Sequence, residues 1–232
     1  MTETHQQISK SANQHIILAS KSPRRQFLLS EIGFAFELIT KEVNEDFPEH
    51  LKAGEIPLFL CRKKADAFEH VLNENSIVVT ADTIVWIHDH VLNKPADEQE
   101  AMTMLMELSG NRHEVYTGVC IKSAVKEISF VVKTDVYFRE LSKDDIEYYI
   151  LTCKPLDKAG SYGAQECLKE GFNPCSAEEI AFLKSIGKES LVQKSIVSKE
   201  ESKFHCVDRI DGSYFNVMGL PVVELYHALR EF

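Results

Sequence analysis

"IILASKSPRRQFLLSEIG" (residues 16–33) joins an apolar run to a Ser-Pro pair and two adjacent arginines. With His15, "HIILAS" reads as a short buried strand. Ser22 is placed as a helix N-cap and Pro23 at the first helical position, where its missing N–H costs nothing. "RRQFLLSEI" carries the helix, and Gly33 supplies its stop. A strand feeding directly into a helix sets the pattern for the chain on either side.

Working outward, "FAFELIT" reads as a second strand and "KEVNEDFPEHLKAGE" as a loop. Pro57 opens a second helix, "PLFLCRKKADAFEHVL". "SIVVTADTIVWI" is the most apolar β-type run, and "HDH" turns it into a short return strand, "VLNKP". Asp97, with Glu100 three residues on, has the pattern of a capping box for "EQEAMTMLMEL". Two long strands follow, "HEVYTGVCIKS" and "KEISFVVKTDVYFRE". Then come a capped helix, "SKDDIEYYIL", and a glycine-containing loop, "CKPLDKAGSYGAQE". Residues 168–203 are rich in Lys, Glu and Ser, with a weak helical pattern at "AEEIAFLKSIG", and read as a surface insertion. A strand, a turn and a helix after Pro221 close the chain. Strands and helices alternate, which predicts an α/β or mixed α+β class with a largely covered sheet. The expected organisation is a flexible tail over 1–14 and one domain over 15–232.

The chain has 232 residues and a net charge of −10. An acidic surface argues against nucleic acid or an anionic membrane as partner. No apolar run reaches the length of a membrane span. The N-terminal stretch lacks a signal peptide's apolar core. The six cysteines form no CxxC pair, which predicts reduced thiols and a cytoplasmic location.

Against this acidic background, Arg24 and Arg25 need a reason. A helix N-terminus presents unpaired N–H groups and the positive end of its dipole, so serines and arginines placed there suit a phosphate. Salt bridges on a capped helix are the plainer use of the same residues. Walker A and GxGxxG patterns are absent. Asp82 lies among apolar β-formers, where a carboxylate must be paired, bind metal or face a cleft. It is the candidate general base. Thr83 beside it can hydrogen-bond. Glu45 is a candidate second carboxylate, and Lys64 and Lys94 are candidate cations. Lys158 stands next to Ala159, Gly160 and Gly163, small residues that admit close approach. The Gln165 amide can pair with the N3–H and C4 carbonyl of uracil or thymine. His113 is either a ligand or a packed strand histidine.

Eight segments, in this order, resemble the Maf family of nucleoside triphosphate pyrophosphatases. They are "LASKSPRR", "NED", "KKADAF", "ADTIV", "NKP", "LSGNRHEVYTGV", "DKAGSYGAQ" and "DGSYFNVMGLPVVEL". The resemblance implies a Maf/ITPase-like fold: a central mixed twisted sheet flanked by helices, in two lobes with a cleft between them. It implies hydrolysis of a triphosphate to monophosphate and pyrophosphate with a divalent cation, Mg²⁺ or alternatively Mn²⁺. By resemblance, Asp82 is catalytic and shares the metal with Glu45. Ser20, Arg24, Arg25, Lys64 and Lys94 match the polar and basic groups around the triphosphate, and Lys158, from its glycine-containing loop, is a further expected substrate-binding residue. Thr83 and Gln165 match the subgroup acting on dTTP and UTP. A homodimer is implied as well. A broader-specificity pyrophosphatase of non-standard nucleoside triphosphates and a nucleotide-binding, low-turnover regulator of septum formation are the alternatives. Three features depart from the family pattern: Asn44 in place of an aspartate, Ala164 in place of a larger aliphatic residue, and the stretch after Gln165.

Overall fold

The computed structural model describes residues 14–73, 75–196 and 204–232. Most of the expected tail, and residues 197–203 of the expected insertion, lie outside these. The chain packs into two compact units. Unit 1 comprises the residues up to Asp82, with Thr117–Val131 and Gly219–Phe232. Unit 2 comprises Thr83–Tyr116 and Val132–Met218.

The first strand, β1 (His15–Leu18), pairs in parallel with β2 (Glu37–Leu38) on one side and with β3 (Ser76–Ile87) on the other. The sheet runs β2-β1-β3-β5-β6-β7, where β5 is Arg112–Lys122, β6 Glu127–Phe138 and β7 Val207–Asp211. β4 (His90–Leu92) pairs antiparallel with β3, and β7 antiparallel with β6. The sheet is therefore mixed, with helices packed on it, as expected. β3, β5 and β6 each run through both units.

Nearly every side chain of β3 is buried, the mark of a strand covered on both faces. Its return turn places His88 and Asp89 at φ +49° and +65°. Two consecutive positive φ values match the right-handed twist of a two-residue hairpin. "FAFELIT" pairs over only two residues, Glu37 and Leu38, both exposed. It lies at the sheet edge, so only one neighbour can order it.

In unit 1, helix α1 (Pro23–Glu31) follows Ser22, which holds the N-cap position without a side-chain cap bond. Gly33 ends the helix at φ +97°. Helix α2 (Glu55–Asp66) begins two residues before Pro57, which still falls in the first turn, where a proline is tolerated. It stops short of "FEHVL", part of which forms a separate 3₁₀ turn at Glu69–Val71. Ile56, Leu60, Cys61 and Ala65 make its buried face. Ile17, Cys61, Ala65, Phe68, Val78 and Cys120 form one core cluster. A large apolar side chain of this kind contributes roughly 1.5–3 kcal/mol when fully buried. Gly118 lets β5 meet α2: a Cβ there would lie 2.4 Å from the Pro57 carbonyl.

In unit 2, helix α3 (Glu98–Leu108) packs against α4 (Lys143–Cys153). Asp97 caps α3 by accepting from the Glu100 N–H, but Glu100 accepts from Ala96 rather than Asp97, so only half of a capping box forms. Ser142 and Asp145 make a full box on α4. The expected glycine loop is three 3₁₀ turns, Pro155–Asp157, Ala159–Ser161 and Ala164–Glu166. The described residues of the expected insertion include two helices, each with one buried face. These are α5 (Ala177–Ser185) and α6 (Ser190–Ser195), and Leu183 and Leu191 are fully buried. The Glu179 carboxylate is buried too. It accepts from Ser213 Oγ and from the N–H groups of Tyr214 and Phe215, at the start of α7 (Tyr214–Met218). The helical pattern expected at "AEEIAFLKSIG" is α5. Back in unit 1, helix α8 (Val222–Leu229) follows Pro221 as expected.

Candidate active site

Six of the expected residues belong to unit 1: Ser20, Arg24, Arg25, Glu45, Lys64 and Asp82. β3 carries Asp82 at the last position before the chain enters unit 2, with 9% of its surface exposed. α2 presents Lys64 to it. The ammonium lies 2.6 Å from Asp82 Oδ1 and 2.8 Å from Glu45 Oε1. One cation thus draws two carboxylates from different segments to a single point. The Asp82 and Lys64 side chains are largely buried and that of Glu45 half exposed, so the aspartate is the sheltered member. In the loop before α2, Asn44 folds onto Asp46: its Oδ1 accepts the Asp46 N–H at 2.6 Å, and its Nδ2 donates to the Asp46 carboxylate at 2.7 Å. Asn44 therefore shapes the loop that carries Glu45.

Ser20, two residues past β1, is buried, and its Oγ accepts the Ser22 N–H at 3.2 Å. Arg24 and Arg25 occupy the first turn of α1, which holds no acidic side chain. Arg24 has no carboxylate partner among the described residues. Arg25 is engaged: its Nε–H donates to the Gly219 carbonyl and its Nη1–H to the Ala81 carbonyl, both at 2.8 Å. Burial pushes its pKa down, and the charge of Asp82 opposes that shift.

Thr83, Lys94, Lys158 and Gln165 belong to unit 2. Thr83 is partly buried on β3, where successive side chains project to opposite faces. Lys94 is exposed, beside the buried Pro95. Lys158 is buried, with its Nζ 3.1 Å from Asp157 Oδ1 and 3.6 Å from Glu166 Oε1. The Tyr149 hydroxyl donates to Glu166 Oε2 at 2.9 Å and accepts the Gly163 N–H at 3.0 Å. Burial is the main cause of this phenol's raised pKa. Gln165 stands beside this network, 9% exposed, with its Oε1 buried and without a hydrogen-bond partner. A buried amide oxygen left open costs free energy unless something fills it. Gly160 turns its open side to Val85, not to free space: a Cβ there would lie 2.9 Å from Val85 Cγ2.

Tyr149 and Glu166 escaped sequence reading. Tyr149 looks like one more apolar position of α4, and Glu166 like a loop carboxylate. His113 is the packed strand residue of the two alternatives, with its Nε2 2.8 Å from the Tyr162 hydroxyl.

Two converging carboxylates are hard oxygen donors. Among the described residues, no group of three or more His, Cys, Asp or Glu could hold a metal ion. This donor set fits Mg²⁺, which takes one or two protein carboxylates and fills its other positions with phosphate oxygens and water.

Residues 15–173 match the family of Maf-like proteins. A dTTP/UTP pyrophosphatase of Phocaeicola vulgatus is 43% identical over 217 residues, covering 93% of this chain and 95% of that protein. A dTTP/UTP pyrophosphatase of Parabacteroides distasonis is 39% identical, covering 94% and 95%. One of Flavobacterium johnsoniae is 39% identical, covering 92% and 93%. With the match spanning more than half its length, and relatives this similar along nearly all of theirs, the chain belongs to the Maf-like family.

Proposed function

We propose that this protein hydrolyses dTTP and UTP to the nucleoside monophosphate and pyrophosphate, removing surplus or modified pyrimidine triphosphates from the nucleotide pool. The observation that carries the reading is the Lys64 ammonium held between Asp82 and Glu45 at 2.6 and 2.8 Å. It supplies a sheltered carboxylate with a fixed cation beside it, in a chain whose relatives bear this activity in their names.

Asp82 orients a water and takes its proton as the water oxygen attacks the α-phosphorus. The bond from that phosphorus to the oxygen bridging to the β-phosphorus breaks, and pyrophosphate leaves. Glu45 and Asp82 would hold a divalent cation, Mg²⁺ or Mn²⁺, which when bound neutralises phosphate charge. Lys64 keeps the two carboxylates in register. Arg24 offers a cation at the N-terminus of α1, where backbone N–H groups also favour an anion, and Lys94 offers a second. In unit 2, the open Gln165 Oε1 accepts the N3–H of a pyrimidine, and Lys158 and Thr83 support the same selection. The working form is a homodimer in the cytoplasm, which size-exclusion chromatography with light scattering tests on the purified protein.

The decisive measurement is pyrophosphate release across standard and modified nucleotides with Mg²⁺ present. Expected are a preference for UTP and dTTP, and a loss of about 10²- to 10⁴-fold in Asp82→Asn while the protein stays folded. Orthophosphate as the only inorganic product, or undiminished turnover in that variant, overturns the reading.

A further inference from the structure

Arg25 and Arg24 are neighbours on one helix turn, yet the structure uses them differently. The Arg25 guanidinium reaches backbone from two distant parts of unit 1. It donates to the carbonyl of Ala81, on β3, and to the carbonyl of Gly219, ahead of α8. Both bonds are 2.8 Å, within the range for well-formed N–H···O bonds. The Ala81 carbonyl belongs to the peptide unit that also contains the Asp82 nitrogen. Fixing that carbonyl fixes the plane from which the Asp82 side chain departs. Gly219 has a φ of +106°, a conformation open to glycine, which lets its carbonyl turn toward the helix.

We propose that Arg25 is a positioning residue for Asp82 and not a ligand of the substrate phosphates. It acts through the Ala81 peptide, while Lys64 fixes the far end of the same side chain. Two restraints, one on the backbone and one on the carboxylate, hold the base where a water can be aligned. A planar fork with fixed donor directions can bridge two carbonyls in this way, whereas a lysine ammonium is a single point charge. Arg24, with no carboxylate partner among the described residues, is left to the anion. The inference rests on the proposed hydrolytic role of Asp82, and its test is built to separate the two.

The test compares Arg25→Lys and Arg25→Ala with Arg24→Ala by steady-state kinetics on UTP with Mg²⁺, and follows the Asp82 carboxyl carbon by NMR in the substrate-free protein. In Arg25→Lys, kcat falls by about 10²-fold, the scale of a roughly 1 Å misplacement, while KM holds. Guanidinium ion, but not ammonium, restores part of the kcat of Arg25→Ala. The Asp82 carboxyl resonance moves in both Arg25 variants and stays in place in Arg24→Ala, whose KM rises instead. A raised KM with full kcat in Arg25→Lys makes the arginine a phosphate ligand and overturns the proposal. So does an unmoved Asp82 resonance, or a lower melting temperature with unchanged kcat per folded molecule. A wild-type protein inactive on every triphosphate overturns the hydrolytic reading instead, and the Asp82 resonance still decides what Arg25 does.

Discussion

His113 sits on β5 with Phe138 and Tyr162 packed edge-on against its ring, and only 1% of it is exposed. Burial pushes its pKa down from 6.5 to about 3, so the folded protein holds the neutral ring. The unfolded chain takes up a proton at this residue below about pH 6.5, and the folded chain does not. The stabilisation is therefore complete above the unfolded pKa and is lost as pH falls toward the folded one, at up to about 1.4 kcal/mol per pH unit. We expect His113→Gln to flatten the pH dependence of unfolding free energy between about pH 6 and pH 4, by close to one proton. Urea titrations of both proteins at several pH values check this, and parallel curves would falsify it. At this scale the sequence was readable where a side chain conflicts with its neighbours. Asp82 amid β-formers announced itself. Arg25 did not, because "PRR" at a helix start looks the same whether the second arginine faces an anion or a pair of carbonyls.

Helices α5 and α7 are joined by the Glu179 carboxylate. It accepts from Ser213 Oγ and from three backbone N–H groups, those of Ser176, Tyr214 and Phe215. One side chain thus completes the capping box of its own helix and satisfies the open N-terminus of another. Glu179→Gln turns an NH₂ toward donors that need an acceptor. We predict a loss of about 3 kcal/mol of stability, as for charged hydrogen bonds broken in the interior, read from chemical denaturation midpoints. A loss no larger than that of an exposed Glu→Gln control would show that α5 is only laid on the surface. A weak helical pattern at "AEEIAFLKSIG" was legible. That Glu179 serves a second helix 35 residues on was not, because capping rules read local spacing and this bond is long-range.

Across the whole chain, none of the six cysteines is in a disulfide, and five are buried, with Cys153 partly exposed. Burial raises the pKa of Cys61, Cys120, Cys175 and Cys206, which suppresses the reactive thiolate. Titration with a thiol reagent at neutral pH should label Cys153 first and at most about one group rapidly. All six should react in denaturant, and rapid labelling of several in the native protein contradicts the burial. The reduced state was readable from cysteine spacing; which thiol is reachable depends on packing. The amino-acid sequence by itself determined the alternation of strands and helices, because apolar periodicity, proline and glycine act over a few residues. Tertiary structure alone decided that "FAFELIT" pairs over two residues, that Glu179, Leu183 and Leu191 are buried, and that Lys64 closes on Asp82 and Glu45. Each of these turns on contacts between segments distant in the chain, and the free energy of such contacts depends on neighbours that no local pattern names.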